Sequence, residues 1–167
     1  MKTYIRLAEF EDIERINDIY NQAVAHKFQT ADTIFFTLND RVKWFNNHQS
    51  AHYPIIVAIK NDEVVGWASI SQYRNGRAAL LKTVEVSFYI DQDHQHQGIG
   101  TQLLNATIEK AKELGYKNVF AMLMEPNAPS IGLLQKFSFE EWGRLPKVAE
   151  VDHIEIDHVY YGRRIAD

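Results

Sequence analysis

Two short segments near the middle of the chain carry residues whose types and spacing could do chemistry. The first is Thr83–Ile90, in which Glu85, Ser87 and Tyr89 alternate with apolar residues, so that a strand would place all three on one face. A carboxylate there can accept a proton, directly or through water. It can equally be a structural carboxylate paired with Lys82 or an arginine, and the residues alone leave both interpretations open.

The second segment is Gln95-x-x-Gly98-x-Gly100, which precedes a predicted helix. Glycines let the backbone come close to a ligand, and the helix directs its free N–H groups and positive dipole end at the loop, which suits a pyrophosphate. It is not a P-loop, because no Gly-Lys-Ser/Thr follows, and Leu103 stands where the dinucleotide fingerprint has its third glycine. Two glycines that merely shape a helix entrance would give the same pattern.

Hydrophobic periodicity places these segments among helices and strands of an α+β protein with mixed strand directions. Strands are predicted at Tyr4–Leu7, Ile55–Ile59, Val64–Ile70, Thr83–Ile90, Asn118–Met124, Phe139–Trp142 and Ile154–Tyr161. Helices are predicted after Asp12, from Asn39 to His48 with Val42, Trp44 and Phe45 as the apolar face, between Gly100 and Gly115, and from Ser130 to Phe137.

Composition narrows the class of protein. The 167 residues suit one domain spanning 1–167, and 46% hydrophobic with 24% charged residues is typical of a soluble globular chain. No apolar run approaches the ~20 residues of a membrane span, and no export signal is evident, so we expect a cytoplasmic location. The absence of cysteine excludes disulfides and thiolate chemistry. A net charge of -4 argues against nucleic acid and favours a small-molecule partner.

The segment from Gln95 to Gly100, following Phe88-Tyr89-Ile90-Asp91, resembles the coenzyme A loop of the GNAT acetyltransferase superfamily. A second cofactor element of that family is matched by Asn127-Ala128-Pro129-Ser130 with Leu133, Lys136 and Phe139, although Ser138 replaces its glycine. The chain is most similar to the phosphinothricin acetyltransferase branch, through Ile19-Tyr20-Asn21, Thr30-Ala31-Asp32-Thr33, Trp44-Phe45, Val65-Gly66-Trp67-Ala68, Thr83-Val84-Glu85-Val86-Ser87 and Trp142-Gly143. The resemblance implies the GNAT fold, a mixed and mostly antiparallel central sheet flanked by helices.

The resemblance also implies acetyl-CoA as cosubstrate and a set of residues that bind it. The main chain of the stretch Phe88, Tyr89 and Ile90 would pair with the pantetheine arm, and Asn127 and Ser130 would hold its thiol end. The pyrophosphate would be held by Gln95, His96, Gln97, Gly98, Ile99, Gly100 and Thr101. Because this loop has glutamines and histidines where many members have Arg or Lys, we expect weaker, salt-sensitive affinity.

By the same resemblance Glu85 is the general base, and the backbone N–H of Ile90 meets the oxyanion. The position where the family often has a tyrosine acid, or its phosphinothricin branch a histidine, is Leu134. No proton donor is therefore assigned. Water ranks ahead of three candidate side chains, namely Tyr73, Tyr160 and Tyr161.

Arg74, Arg77 and Lys82 precede the Glu85 strand and could bind a carboxylate or phosphinate of the acceptor. Arg77 matches an arginine of the branch, whereas Arg74 and Lys82 could be ordinary solvated charges. The expected acceptor is an amino acid or an analogue such as phosphinothricin or methionine sulfoximine. Leu80 and Leu81 suggest a more apolar pocket than in related sequences, which leaves the substrate open.

Three other interpretations remain. A metal cluster of His94, His96, Asp91 and Asp93 lacks a further ligand, so no metal is expected. The chain could be a coenzyme A sensor without turnover, because Leu134 replaces the proton donor, or an acetyltransferase of protein amines. A homodimer is expected because it is common in relatives, with Ile154 to Tyr161 as a candidate contact.

Overall fold

The computed structural model describes residues 2–48 and 51–167, and its centre is a seven-stranded sheet. The strands are β1 (Tyr4–Leu7), β2 (Ile55–Lys60), β3 (Glu63–Gln72), β4 (Thr83–Ile90), β5 (Asn118–Met124), β6 (Glu140–Val151) and β7 (Ile154–Arg164). Their order is β1-β2-β3-β4-β5-β7-β6, and every neighbouring pair is antiparallel except β4 and β5. The predicted mixed, mostly antiparallel sheet is thereby confirmed.

Helices cover both faces of this sheet: α1 (Ile13–Ala25), α2 (Leu38–Asn47), α3 (Ile99–Glu113) and α4 (Ala128–Lys136). The core on the α3 and α4 side includes Val84, Val86, Leu104, Ile108 and Leu134. The core on the opposite face includes Ile16, Ile19, Tyr20, Val57 and Trp67. Across the two described ranges, no helix combines the length and the apolar character needed to cross a membrane.

The buried face of α2 includes a residue that was not predicted. Trp44 and Phe45 pack against the core as predicted, although they and Val42 are only half-buried, whereas Arg41 is 3% exposed. Its guanidinium lies 4.4 Å from the centre of the Tyr20 ring and 4.7 Å from that of Trp44. A planar guanidinium packs on aromatic faces, so tertiary contacts bury a residue that periodicity had placed outside.

The two parallel strands separate soon after they meet. β4 and β5 pair only over Thr83↔Asn118, Val84↔Val119 and Glu85↔Phe120. Beyond Glu85, β4 keeps its pairing with β3 as far as Ile90, and β5 keeps its pairing with β7 as far as Met124. The sheet therefore opens at Glu85, between two strands that are each held from their outer side.

The C-terminal hairpin is longer than predicted. β6 continues past Trp142 to Val151, with register shifts at Glu141/Gly143 and Leu145/Ala149, and it forms an edge of the sheet. Irregular, mostly exposed edge strands carry no alternating apolar pattern, which is why the sequence did not reveal its extent. In this hairpin the half-exposed Trp142 ring covers Gly162 of β7.

We expect Gly162→Ala to lower the free energy of unfolding by about 1–3 kcal/mol, because the added methyl group would overlap the Trp142 ring. Denaturant unfolding of the single variant measures this loss. In a Trp142→Ala background the same substitution should be neutral or stabilising, since alanine is less flexible than glycine when unfolded. An equal loss in both backgrounds would contradict the packing argument.

Candidate active site

A cavity of about 310 Å³, here the central cavity, occupies the opening between β4 and β5. Glu85, Ser87 and Tyr89 line it from the face of β4 that alternation had predicted. The opposite wall includes Met122 and Met124 of β5 and His158 of β7. A carboxylate, an imidazole and small polar groups thus line the cavity together with apolar side chains.

Glu85 is the acidic residue of this cavity, and burial raises the pKa of its carboxyl to about 7. Among the ion pairs within 4.0 Å in residues 2–48 and 51–167, none involves Glu85. An ion pair of Glu85 with Lys82 or an arginine, the alternative that the sequence left open, is therefore absent from the described residues. A half-ionised, unpaired carboxylate near neutral pH is what a general base requires.

A segment between α1 and α2 closes the same cavity. Gln29, Thr30 and Ala31 line it, and the Tyr20 hydroxyl hydrogen-bonds to Thr30 Oγ1 at 2.9 Å and donates to Asp32. Burial raises the pKa of Tyr89 to about 12, so its hydroxyl stays neutral beside Glu85. The hydroxyl and amide groups of this part of the cavity can therefore hydrogen-bond to a bound molecule without carrying a charge.

A second cavity of about 440 Å³, here the α3 cavity, lies at the N-terminus of α3. It is lined by every predicted cofactor residue except Gln97: Phe88, Tyr89, Ile90, Gln95, His96, Gly98, Ile99, Gly100, Thr101, Asn127 and Ser130. The two cavities share Gln29, Phe88, Tyr89, Asn127 and Ser130. One elongated ligand could therefore reach from α3 to Glu85.

The two loop glycines have different roles. Gly98 has φ of 78° and caps α3 with no side-chain hydrogen bond, so the first-turn N–H groups remain available to an anion. Gly100 is needed for packing, because a Cβ there would lie 3.0 Å from Leu133 Cδ2 of α4. Gln97 turns away and accepts a 2.6 Å hydrogen bond from Lys60 Nζ.

The backbone of β4 is oriented to receive a ligand. The Asp91 N–H donates to Val65 O at 3.0 Å, while Ile90 is the direct partner of Gly66. In an antiparallel ladder this makes Ile90 and Phe88 residues whose N–H and C=O groups point away from β3. They point to the side from which β5 has separated, as an extended amide-bearing arm would need.

The structure also limits the candidate proton donors. Leu134 is fully buried, and Tyr161 is packed with Val159 in the core under α3 and α4. Tyr73 and Tyr160 flank Phe120, with ring centroids 4.6 and 6.0 Å from it. None of these four side chains lines either cavity.

Several residues that line the cavities were not among the predicted site residues, and three of them have basic side chains. His158 lines the central cavity, and burial lowers the pKa of its imidazole. His94 and Lys136 line the α3 cavity. Lys136 belonged to the second cofactor element and could have been identified there, whereas no local signal marked which face of β7 carries His158.

The predicted acceptor-binding cations lie outside both cavities. Arg74, Arg77 and Lys82 are exposed in the segment between β3 and β4. The Arg74 guanidinium lies 5.5 Å from the centre of the Tyr73 ring, and Lys82 Nζ lies beside Gly115 at the end of α3. Their role in binding an acceptor stays a prediction.

The sheet opens at a half-buried carboxylate, next to a helix N-terminus that a glycine precedes, and this arrangement agrees with the coenzyme A-dependent transferase that the sequence resemblance implies. The sequence profile of the acetyltransferase (GNAT) family matches residues 13–139, and the chain belongs to this family. The predicted family, fold and acetyltransferase class are confirmed.

Similar proteins support the same branch. The L-methionine sulfoximine/L-methionine sulfone acetyltransferase of Pseudomonas aeruginosa is 36% identical over 151 residues, 90% of this chain and 87% of that protein. The crystal structure of an N-acetyltransferase from Staphylococcus aureus Mu50 has a TM-score of 0.94 at 33% identity and covers 99% of both chains. A phosphinothricin acetyltransferase from Sinorhizobium meliloti in complex with AcCoA has a TM-score of 0.93 at 25% identity, covering 99% of this chain and 90% of that one.

We expect Glu85→Gln to stabilise the protein at alkaline but not at acidic pH. Because the folded carboxyl has a pKa of about 7 against 4.5, the native state retains its proton more strongly, and stability falls as pH rises through this interval. Glutamine stays neutral, so the variant should gain about 1–3 kcal/mol at pH ~8 and little at pH ~4.

Denaturant unfolding at the two pH values measures this difference. Glu155→Gln is the matched control, since Glu155 is an exposed strand carboxylate. A gain of equal size at both pH values would show that charge burial is not its cause.

Proposed function

We propose that this protein transfers the acetyl group of acetyl-CoA to the amino group of a small molecule, an amino acid or an analogue such as methionine sulfoximine or phosphinothricin. One observation carries the proposal: Glu85, with a pKa of about 7, lines the central cavity, and that cavity shares Phe88, Tyr89, Asn127 and Ser130 with the α3 cavity. The substrates in the names of the similar acetyltransferases support the acceptor class.

The residues of the α3 cavity fit coenzyme A. The uncapped first turn of α3 would bind its pyrophosphate, and the outward main-chain groups of Phe88 and Ile90 would pair with the amides of its arm. Asn127 and Ser130, common to both cavities, would lie at the thiol end. Bound acetyl-CoA supplies an activated acetyl thioester.

Glu85 would accept the proton of the acceptor's ammonium group, which yields the neutral amine that can attack. A carboxylate with a pKa of about 7 is partly ionised at neutral pH and is a much stronger base than an exposed glutamate. The Ile90 N–H would donate to the developing oxyanion. Water remains the first candidate for returning a proton to the sulfur, since the three proposed tyrosines lie outside the cavities.

Catalysis explains Glu85 better than binding alone does. A sensor that only holds coenzyme A needs no base, and an unpaired buried carboxylate weakens the fold at neutral pH. Such residues are typically retained at sites of proton transfer. No comparable feature of the described residues favours a protein amine as acceptor.

Two expectations about the cellular form stay predictions. A cytoplasmic location is one of them. The other is a homodimer. Its two copies cannot join by strand pairing along β7, because β5 and β6 already pair with both sides of that strand. A contact through this hairpin would use β6, where Trp142, Leu145 and Val148 are exposed.

Glu85→Gln should lower kcat by ~10² or more, because the substitution keeps the shape of the side chain but removes the base. Free-thiol release from acetyl-CoA, measured with amino acids, methionine sulfoximine, methionine sulfone and phosphinothricin, tests this. In the wild type kcat/KM should rise with pH through about 7, and the variant should lose this limb. Coenzyme A binding without thiol release from any acceptor would favour the sensor interpretation.

Arg77→Ala should raise the KM for the best amino-acid acceptor about tenfold with little change in kcat, because the guanidinium would pair with the acceptor's carboxylate. The corresponding amino alcohol, which lacks that carboxylate, should be insensitive to the substitution. Lys43→Ala, which removes an exposed cation of α2, serves as control. Equal effects on the amino acid and the amino alcohol would exclude carboxylate recognition by Arg77.

A further inference from the structure

The carboxylate of Asp91, directly after β4, is a buried anchor for the loop that follows. It is 2% exposed, and Oδ2 accepts hydrogen bonds from Arg15 Nη2 at 2.6 Å and Gln22 Nε2 at 3.0 Å. Oδ1 accepts from the Asp93 N–H at 3.1 Å and from His94 Nδ1 at 2.8 Å. Although burial alone would raise it, these hydrogen bonds and the Arg15 charge lower the pKa of Asp91 to about 2.

This anchor fixes the orientation of the His94 ring. An ionised carboxylate only accepts hydrogen bonds, so His94 Nδ1 must be the donor, which leaves Nε2 as the free ring nitrogen. His94 lines the α3 cavity, and its side chain is 24% exposed. A ring held at one nitrogen in this way presents the other to a ligand with little loss of side-chain entropy.

The α3 cavity offers few other positive groups to a phosphate. Its loop has neither Arg nor Lys, and Lys136 of α4 is the lysine that lines it. Arg15 is committed to Asp91 and also lies 3.4 Å from Glu63. A protonated imidazole at His94 would supply the charge that the loop lacks.

We propose that His94, held by Asp91, is a phosphate-binding residue whose protonated Nε2 donates a hydrogen bond to the pyrophosphate of coenzyme A in the α3 cavity. This rests on the proposed function. Asp91, which holds the ring, accepts hydrogen bonds from Arg15 of α1 and the main chain of Asp93, and the other titratable groups that line the α3 cavity are Tyr89, His96 and Lys136. Asp91 and Arg15 compensate each other, so the arrival of the anionic ligand is the main change in charge that the ring experiences.

Binding should therefore be accompanied by proton uptake at mildly alkaline pH, because the anionic ligand favours the charged form of the ring. Titration calorimetry at about pH 8 in two buffers of different ionisation enthalpy measures this uptake. The probe is dephospho-coenzyme A, which retains the pyrophosphate but lacks the 3′-phosphate that would titrate in the same range. This readout requires no catalysis.

We expect the wild type to take up a measurable fraction of a proton per bound ligand. The His94→Gln variant should show no proton uptake and should bind about tenfold more weakly, because one charge-assisted hydrogen bond is lost. His153→Gln, which removes an exposed histidine that lines neither cavity, should retain the uptake.

Uptake that persists in His94→Gln, or none in the wild type, would overturn the inference and leave the proposed function intact, provided that acetyl transfer occurs. If neither coenzyme A nor dephospho-coenzyme A binds the wild type, the proposed function fails and this inference fails with it.

Discussion

The separation of β4 and β5 after three paired residues is the constraint on which the rest of the site depends. Each strand keeps its other neighbour, so the opening removes hydrogen bonds from one side of each strand and leaves the sheet intact on both flanks. It creates the central cavity, leaves the main chain of Phe88 and Ile90 facing outward, and leaves Glu85 half-buried with no ion-pair partner among the described residues. The cavity, the outward main-chain groups and the unpaired carboxylate therefore all follow from the loss of regular pairing between these two strands.

The two ends of the open half of β4 illustrate how surroundings set the acidity of a carboxyl. Glu85 has no ion pair in the described ranges, and burial raises its pKa to about 7, which suits proton transfer. Asp91 is more deeply buried but receives four hydrogen bonds and lies beside Arg15, so its pKa falls to about 2 and it serves as a fixed anchor. Hydrogen-bond donors, rather than depth, separate the proposed base from the structural anion.

Much of the site could be predicted because it lies within one element or one turn. Period-two alternation was sufficient to place Glu85 on the face opposite Val84, and the loop glycines indicated a helix N-terminus before any contact was known. His158 could not be found this way, since its position depends on β7 lying next to β5, a long-range pairing. Arg41 was missed for a related reason, because the aromatic rings around it come from three separate segments.

The opening between β4 and β5 is also an internal edge of the sheet. Unpaired strand edges invite pairing with other chains, and proteins usually protect them with charge, bulges or short length. Here the outward main-chain groups line cavities whose walls include residues of α3, α4 and the segment that follows α1. A ligand that pairs with these groups would take the place of the missing strand and leave no free edge there for another chain.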